Sequence, residues 1–75
     1  MEEQKRLEAF EAMLEAVERE YDAILSKMEQ LKKDGRVKSV TYRQLMGRKA
    51  MYRDMLDLYE IYGLLSKKYF EKESR

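Results

Sequence analysis

Apolar residues recur every three or four positions along two long stretches of the chain, with a short polar segment between them. In the first stretch the repeat holds without interruption at Leu7, Phe10, Leu14, Val17, Tyr21, Ile24, Met28 and Leu31. In the second stretch the same spacing joins Leu45, Arg48, Tyr52, Met55, Tyr59, Tyr62, Ser66 and Tyr69. Residues spaced in this way share one face of a helix, so each stretch predicts one helix with one apolar stripe.

The polar segment carries signals for the end of one helix and the start of the next. Gly35 follows the last apolar residue of the first repeat, which is where a left-handed C-terminal cap favours glycine. Thr41 with Gln44 fits a capping box, and Val40 with Leu45 fits a hydrophobic staple. These residues predict that the second helix begins at Thr41.

The connection is too short to let the two helices lie apart, so they are expected to be antiparallel neighbours. We therefore predict an all-α fold, a single helical-hairpin domain over residues 1–75. Helix 1 covers about 3–33, the turn 34–40 and helix 2 about 41–72. The regular heptads are typical of coiled-coil packing.

Matching the two stripes across the turn, large residues against small ones, predicts the register of the hairpin. It places Phe10 opposite Ser66 and Met28 opposite Arg48. The seven-residue repeat continues past Gly47 and Gly63, so helix 2 is expected to run through both. The alternative is a break at Gly47, with a short helix before it.

A second apolar strip lies beside the predicted seam on both helices and is not needed to join them. Helix 1 carries small residues at seven-residue spacing together with a methionine, and helix 2 carries larger ones. The predicted partner surface consists of Ala9, Met13, Ala16, Ala23, Met51, Leu58, Ile61 and Leu65. A strip of this kind indicates an interface, either with a second copy in a dimeric four-helix bundle or with a helix of another protein.

Composition narrows the function classes. The 75 residues are 44% hydrophobic and 41% charged, with no Pro, Cys or His. Lack of Cys and His removes disulfides, thiolate chemistry and the usual zinc ligands, and no nucleotide or metal motif is present. We expect no catalytic, cofactor or metal site, no signal peptide or membrane span, and a cytoplasmic, non-enzymatic protein that interacts with itself. Carboxylate pairs such as Glu15 with Glu18 and Asp54 with Asp57 are expected on exposed faces, without a pocket to support catalysis.

Charge is unevenly distributed although the net charge is only +1. Residues 1–26 hold eight acids and three bases, whereas residues 27–53 hold nine bases and two acids. A hairpin with this sequence has a basic turn end, which predicts an alternative function in binding RNA or DNA. The candidate contacts are Lys32, Lys33, Arg36, Lys38, Arg43 and Lys49.

Overall fold

The computed structural model describes residues 2–65, which form two helices, α1 (Glu3–Lys33) and α2 (Val40–Ile61), and no strand. The helices pack side by side in opposite directions, because Phe10 near the start of α1 contacts Tyr59 near the end of α2. The predicted all-helical hairpin is therefore confirmed for these residues. Residues 66–72 of the predicted helix 2 lie outside the described part of the chain. Neither helix in residues 2–65 is long and apolar enough to cross a bilayer.

Helix α1 supplies most of the core. It has 31 residues, which makes it about 46 Å long at about 1.5 Å per residue. Six successive members of its predicted stripe are buried: Leu14, Val17, Tyr21, Ile24, Met28 and Leu31. Towards the N-terminus the stripe opens, since Phe10 is half-buried and Leu7 is 53% exposed. Lys32 and Lys33 occupy the last turn, where the helix dipole favours cations.

Helix α1 ends at Lys33 and is closed by a Schellman motif that contains Gly35. The backbone of Gly35 is left-handed, with φ of 72°. Its N–H donates to the carbonyl of Lys32 at 3.1 Å, and the N–H of Arg36 donates to the carbonyl of Leu31 at 2.8 Å. These two bonds satisfy carbonyls that the last turn would otherwise leave open, and glycine adopts this conformation without a Cβ clash.

Helix α2 ends in the same way, and the prediction that it runs through Gly63 is wrong. Gly63 has φ of 70°. Its N–H donates to Glu60 at 2.9 Å, and the N–H of Leu64 donates to Tyr59 at 2.7 Å. The helix therefore stops at Ile61, well before the predicted end near residue 72. By contrast the helix does continue through Gly47, and the alternative of a break there is excluded.

The N-terminal cap of α2 is Ser39, not the predicted Thr41. The Ser39 hydroxyl accepts a hydrogen bond from the N–H of Tyr42 at 3.1 Å and donates to the carbonyl of Arg36 at 2.8 Å. The same side chain thus ties the helix start to the preceding turn. Thr41 lies inside the first turn, and Val40, the proposed staple residue, is 68% exposed.

The face that α2 presents to α1 is rotated relative to the predicted stripe. Its one buried residue is Leu56, which the stripe did not include. Arg48 is exposed and Tyr62 is 74% exposed, although both were assigned to the seam. Leu56 forms a buried cluster with Val17 and Tyr21. Four further side chains pack against this cluster: Tyr52, Met55, Tyr59 and Leu65.

The register also differs from the predicted one. The rings of Phe10 and Tyr59 meet edge to face, with centroids 5.8 Å apart and planes at 88°. Phe10 therefore lies opposite Tyr59, which is about two helical turns before Ser66, its predicted partner. Arg48 bonds to Glu20, about two turns before Met28, its predicted partner. Both contacts shift in the same direction, so the pairing based on large-to-small matching is wrong.

Candidate interaction surfaces

The largest exposed apolar residues beside the seam form what we call the outer patch: Met13, Met51, Leu58 and Ile61. Their exposed fractions are 44%, 49%, 57% and 75%. Met51 and Leu58 are seven residues apart and Ile61 follows Leu58 by three, so these three share one face of α2. The structure thus leaves four of the five large residues of the predicted partner surface exposed to solvent.

The remaining four residues of the predicted partner surface have different environments. Ala9 and Ala23 are exposed on α1, and Ala16 between them is half-buried. Leu65 packs against the cluster of Val17, Tyr21 and Leu56, because the chain turns after Gly63. Leu65 therefore contributes to the core of the hairpin and is not part of the outer patch.

An ion pair shows that the two halves of the outer patch lie along the same edge of the hairpin. A guanidinium nitrogen of Arg48 donates to Glu20 Oε1 at 3.0 Å, and both side chains are about half exposed. Glu20 lies on α1 between Ala16 and Ala23, and Arg48 is one turn before Met51 on α2. Ala16 and Ala23 share a helix face with Glu20, and Met51 shares one with Arg48. The ion pair therefore shows that these faces of α1 and α2 lie on the same side of the hairpin.

The outer patch lies nearer the open end of the hairpin than the turn. Leu58 and Ile61 lie within three residues of Tyr59, which is level with Phe10, and Met13 lies one turn after Phe10. Met51 lies between the two cross-helix contacts. Towards the turn the same edge carries Gln44 and Lys27, both exposed.

The turn end carries a cluster of cations that we call the basic tip: Lys32, Lys33, Arg36, Lys38 and Arg43. All five side chains are exposed, and none forms an ion pair with any residue in the described range. The sixth predicted contact, Lys49, is half-buried and lies further along α2. The nearest acid in sequence, Asp34, accepts a hydrogen bond from Gln30 at 3.3 Å.

The start of α2 adds to the positive field of the basic tip. The first turn of α2 contains no acid, and Arg43 lies there instead. The N-terminus of a helix carries a partial positive charge, so cations at this position repel it. The basic tip therefore remains electrostatically unbalanced within residues 2–65.

A row of carboxylates follows the other edge of α1, and one of them has an environment that the sequence analysis missed. Glu15 is exposed as expected and Glu11 is also exposed, but the expectation that Glu18 is exposed is wrong, because it is only 8% exposed. Glu18, Asp22 and Arg53 each take part in a polar or electrostatic contact. The signal for burial was the position of Glu18, four residues after Leu14 and three before Tyr21, both of them seam residues.

Within residues 2–65 there is no group of three or more His, Cys, Asp or Glu side chains placed to hold a metal ion. Comparisons with protein-family models, characterised proteins and solved structures found no match to this chain. The arguments for function consequently rest on the outer patch and the basic tip.

Proposed function

We propose that the protein is a small, non-enzymatic, cytoplasmic interaction protein that self-associates through the outer patch, with two hairpins packing into a four-helix bundle. The observation that supports this most strongly is the exposure of Met51, Leu58 and Ile61, between 49% and 75%, on one face of α2. Exposed apolar patches of this kind are typical of protein–protein interfaces.

The distribution of buried residues in α2 supports the same proposal. Among its 22 residues only Leu56 is buried, whereas three large apolar side chains face solvent in the outer patch. Fully burying a side chain of this size stabilises a structure by about 1.5–3 kcal/mol. A second hairpin over the outer patch would therefore add stabilisation that a single hairpin lacks, and chains of this size frequently need it.

Self-association is tested by light scattering over a range of protein concentrations, with the wild type compared with Met51→Glu and Leu58→Glu. We expect the wild type to form dimers and both variants to remain monomeric, because each places a carboxylate in a desolvated interface. The matched control is Met46→Glu, since Met46 has the same 49% exposure on the same helix but lies on another face. This control should associate normally.

Either of two results would contradict the proposal. One is a stable assembly that is unchanged in Leu58→Glu, because the outer patch would then play no part in it. The other is a well-folded wild-type monomer at all concentrations, which would favour a helix of another protein as the occupant of the outer patch.

Nucleic-acid binding through the basic tip is a second candidate function, favoured by the exposure of its five cations without ion-pair partners in the described range. Such a cluster suits a phosphate backbone. A mobility-shift assay with RNA and DNA should show binding that weakens steeply with salt, with a slope of about −0.9 per neutralised phosphate for duplex DNA.

A pair of double variants sharpens this test. Arg36→Glu with Lys38→Glu should abolish the shift, whereas Lys5→Glu with Arg6→Glu makes the same change in net charge at the other end of the hairpin and should reduce it only slightly. Absence of binding even at low salt would remove this candidate.

A further inference from the structure

The charge distribution and the spacing of small and large residues beside the seam give a direction to the proposed self-association. We propose that the occupant of the outer patch is a second copy of this chain lying antiparallel to the first, so that the two basic tips are at opposite ends of the bundle. This inference rests on the proposed function and adds the orientation of the two copies.

Three of the four alanines of α1 are spaced symmetrically about Ala16. Ala9 lies seven residues before it and Ala23 seven residues after it, all on one face. When two copies of α1 cross antiparallel at Ala16, Ala9 of each copy meets Ala23 of the other. Small side chains at all these positions allow the helix axes to approach closely.

On α2 the same arrangement sets a large residue over a small one. Gly47 and Leu58 are eleven residues apart, which is about three turns, so they share a face. A Cβ added at Gly47 would meet nothing within 4 Å in the hairpin. In an antiparallel pair of α2 helices, Leu58 of each copy can pack over Gly47 of the other. The two-fold axis that relates the two helices then passes between Tyr52 and Arg53.

The fold of the hairpin places these two centres at the same level. Glu20 bonds to Arg48 across the hairpin. Ala16 lies four residues before Glu20, and Tyr52 lies four residues after Arg48. Because the helices are antiparallel, Ala16 and Tyr52 are level with each other. One two-fold axis perpendicular to the helices can therefore relate both pairs.

A parallel dimer could also bury the outer patch, but the charge distribution favours the antiparallel dimer. A parallel dimer places the two basic tips side by side, so that ten cations lie close together with only Asp34 of each copy within the clusters to offset them. The antiparallel dimer separates the tips. It also brings the acidic start of α1, Glu2 and Glu3, to within about one turn of Lys32 in the second copy.

Single-cysteine variants test the orientation, because the chain has no cysteine of its own. Ala16→Cys should form a disulfide between copies under mild oxidation, since an axis through this position brings the two Cα atoms within the usual range of about 4.4–6.8 Å. An equimolar mixture of Ala9→Cys and Ala23→Cys should give mainly the mixed disulfide. Ser26→Cys, exposed on another face of α1, is the control that should remain reduced.

A parallel dimer gives the opposite result, because α1 then packs on α2 of the second copy. Ala16→Cys would not cross-link with itself, and its mixture with Met51→Cys would. That outcome overturns the inference and leaves self-association intact. A monomeric mass at all concentrations, without disulfides in any mixture, is the separate result that overturns the proposed function.

The salt dependence of the dissociation constant provides an independent test of the orientation in the wild-type dimer. The antiparallel arrangement predicts a dissociation constant that rises with ionic strength, because attraction between opposite charges is screened, by roughly two- to fivefold for each exposed pair lost. A dissociation constant that falls with salt would indicate screened repulsion between adjacent tips, and would contradict the inference.

Discussion

Helices α1 and α2 share one interface but are stabilised to very different extents by it. Seven of the 31 residues of α1 are buried, and only one of the 22 residues of α2 is. The apolar residues of α1 are concentrated on the face that meets α2. Those of α2 are divided between this face and the outer patch, so a single hairpin leaves much of the apolar surface of α2 in water.

The local sequence of α2 deepens this contrast. It begins with the β-branched residues Val40 and Thr41 and contains Gly47, all of which have lower helix propensity than the Glu-, Ala- and Leu-rich sequence of α1. Helices in proteins owe most of their stability to tertiary packing. Helix α2, with less intrinsic stability and fewer buried residues, therefore depends more on its contacts than α1 does.

The largest expected effect comes from removing the one buried residue of α2. Leu56→Ala should lower the free energy of unfolding by about 2–5 kcal/mol, because it leaves a cavity in the cluster with Val17 and Tyr21. Urea unfolding followed by circular dichroism measures this loss. Leu58→Ala, at 57% exposure, is the control and should cost less than about 1 kcal/mol below the association concentration. An equal loss of unfolding free energy in the two variants would show that the packing of α2 on α1 does not depend on Leu56.

The next effect concerns the start of α2, where Ser39 provides a side-chain bond to the first turn. Ser39→Ala should cost about 1 kcal/mol, because the N–H of Tyr42 loses its acceptor. Thr41→Ala should leave stability nearly unchanged or raise it slightly, since Thr41 does not cap the helix. Thermal unfolding of both variants distinguishes them, and a larger loss for Thr41→Ala would place the cap where the sequence pattern first suggested.

The two glycines of the α2 region should respond to alanine with opposite signs and the smallest magnitudes. Gly47→Ala should raise the free energy of unfolding of the hairpin by up to about 1 kcal/mol, since the site is helical and open. Gly63→Ala should lower it by about 1 kcal/mol, because φ of 70° strains a residue with a Cβ. Denaturant unfolding at low protein concentration separates these effects from association. The same sign for both would contradict the difference in backbone.

The sequence predicted α1 well because several independent signals agree there. Its apolar spacing, the basic last turn and the glycine after it all indicate the same helix, and each reflects local physics. The stop at Gly63 has the same physical cause as the stop at Gly35 but was missed. The seven-residue repeat continues past Gly63 to Ser66 and Tyr69 and therefore predicted an unbroken helix. The apolar Leu64 directly after the glycine is itself typical of a Schellman motif.

The face and register of α2 depended on side-chain geometry that spacing does not contain. Met55 and Leu56 are adjacent on the helix and both contact the seam, but Leu56 is the one that is buried, and apolar spacing alone does not distinguish them. Matching residues by size placed Phe10 against Ser66. It ignored the preference of aromatic rings for edge-to-face contact, which Phe10 makes with Tyr59. The candidate surfaces were predictable as patterns, whereas the core position of Leu65 required the turn at Gly63.

The contact between Phe10 and Tyr59 also determines how the hairpin opens. At one end the helices are joined by a short capped connection, while at the other this ring pair joins the open ends near Leu7, which is 53% exposed. Opening should start at the end opposite the turn, because no connection joins the helices there. The first turns of α1 should therefore exchange amide hydrogens fastest, and the turns around Leu14 to Ile24 slowest. Loss of the contact between Phe10 and Tyr59 would thus be an early step in the separation of the two helices.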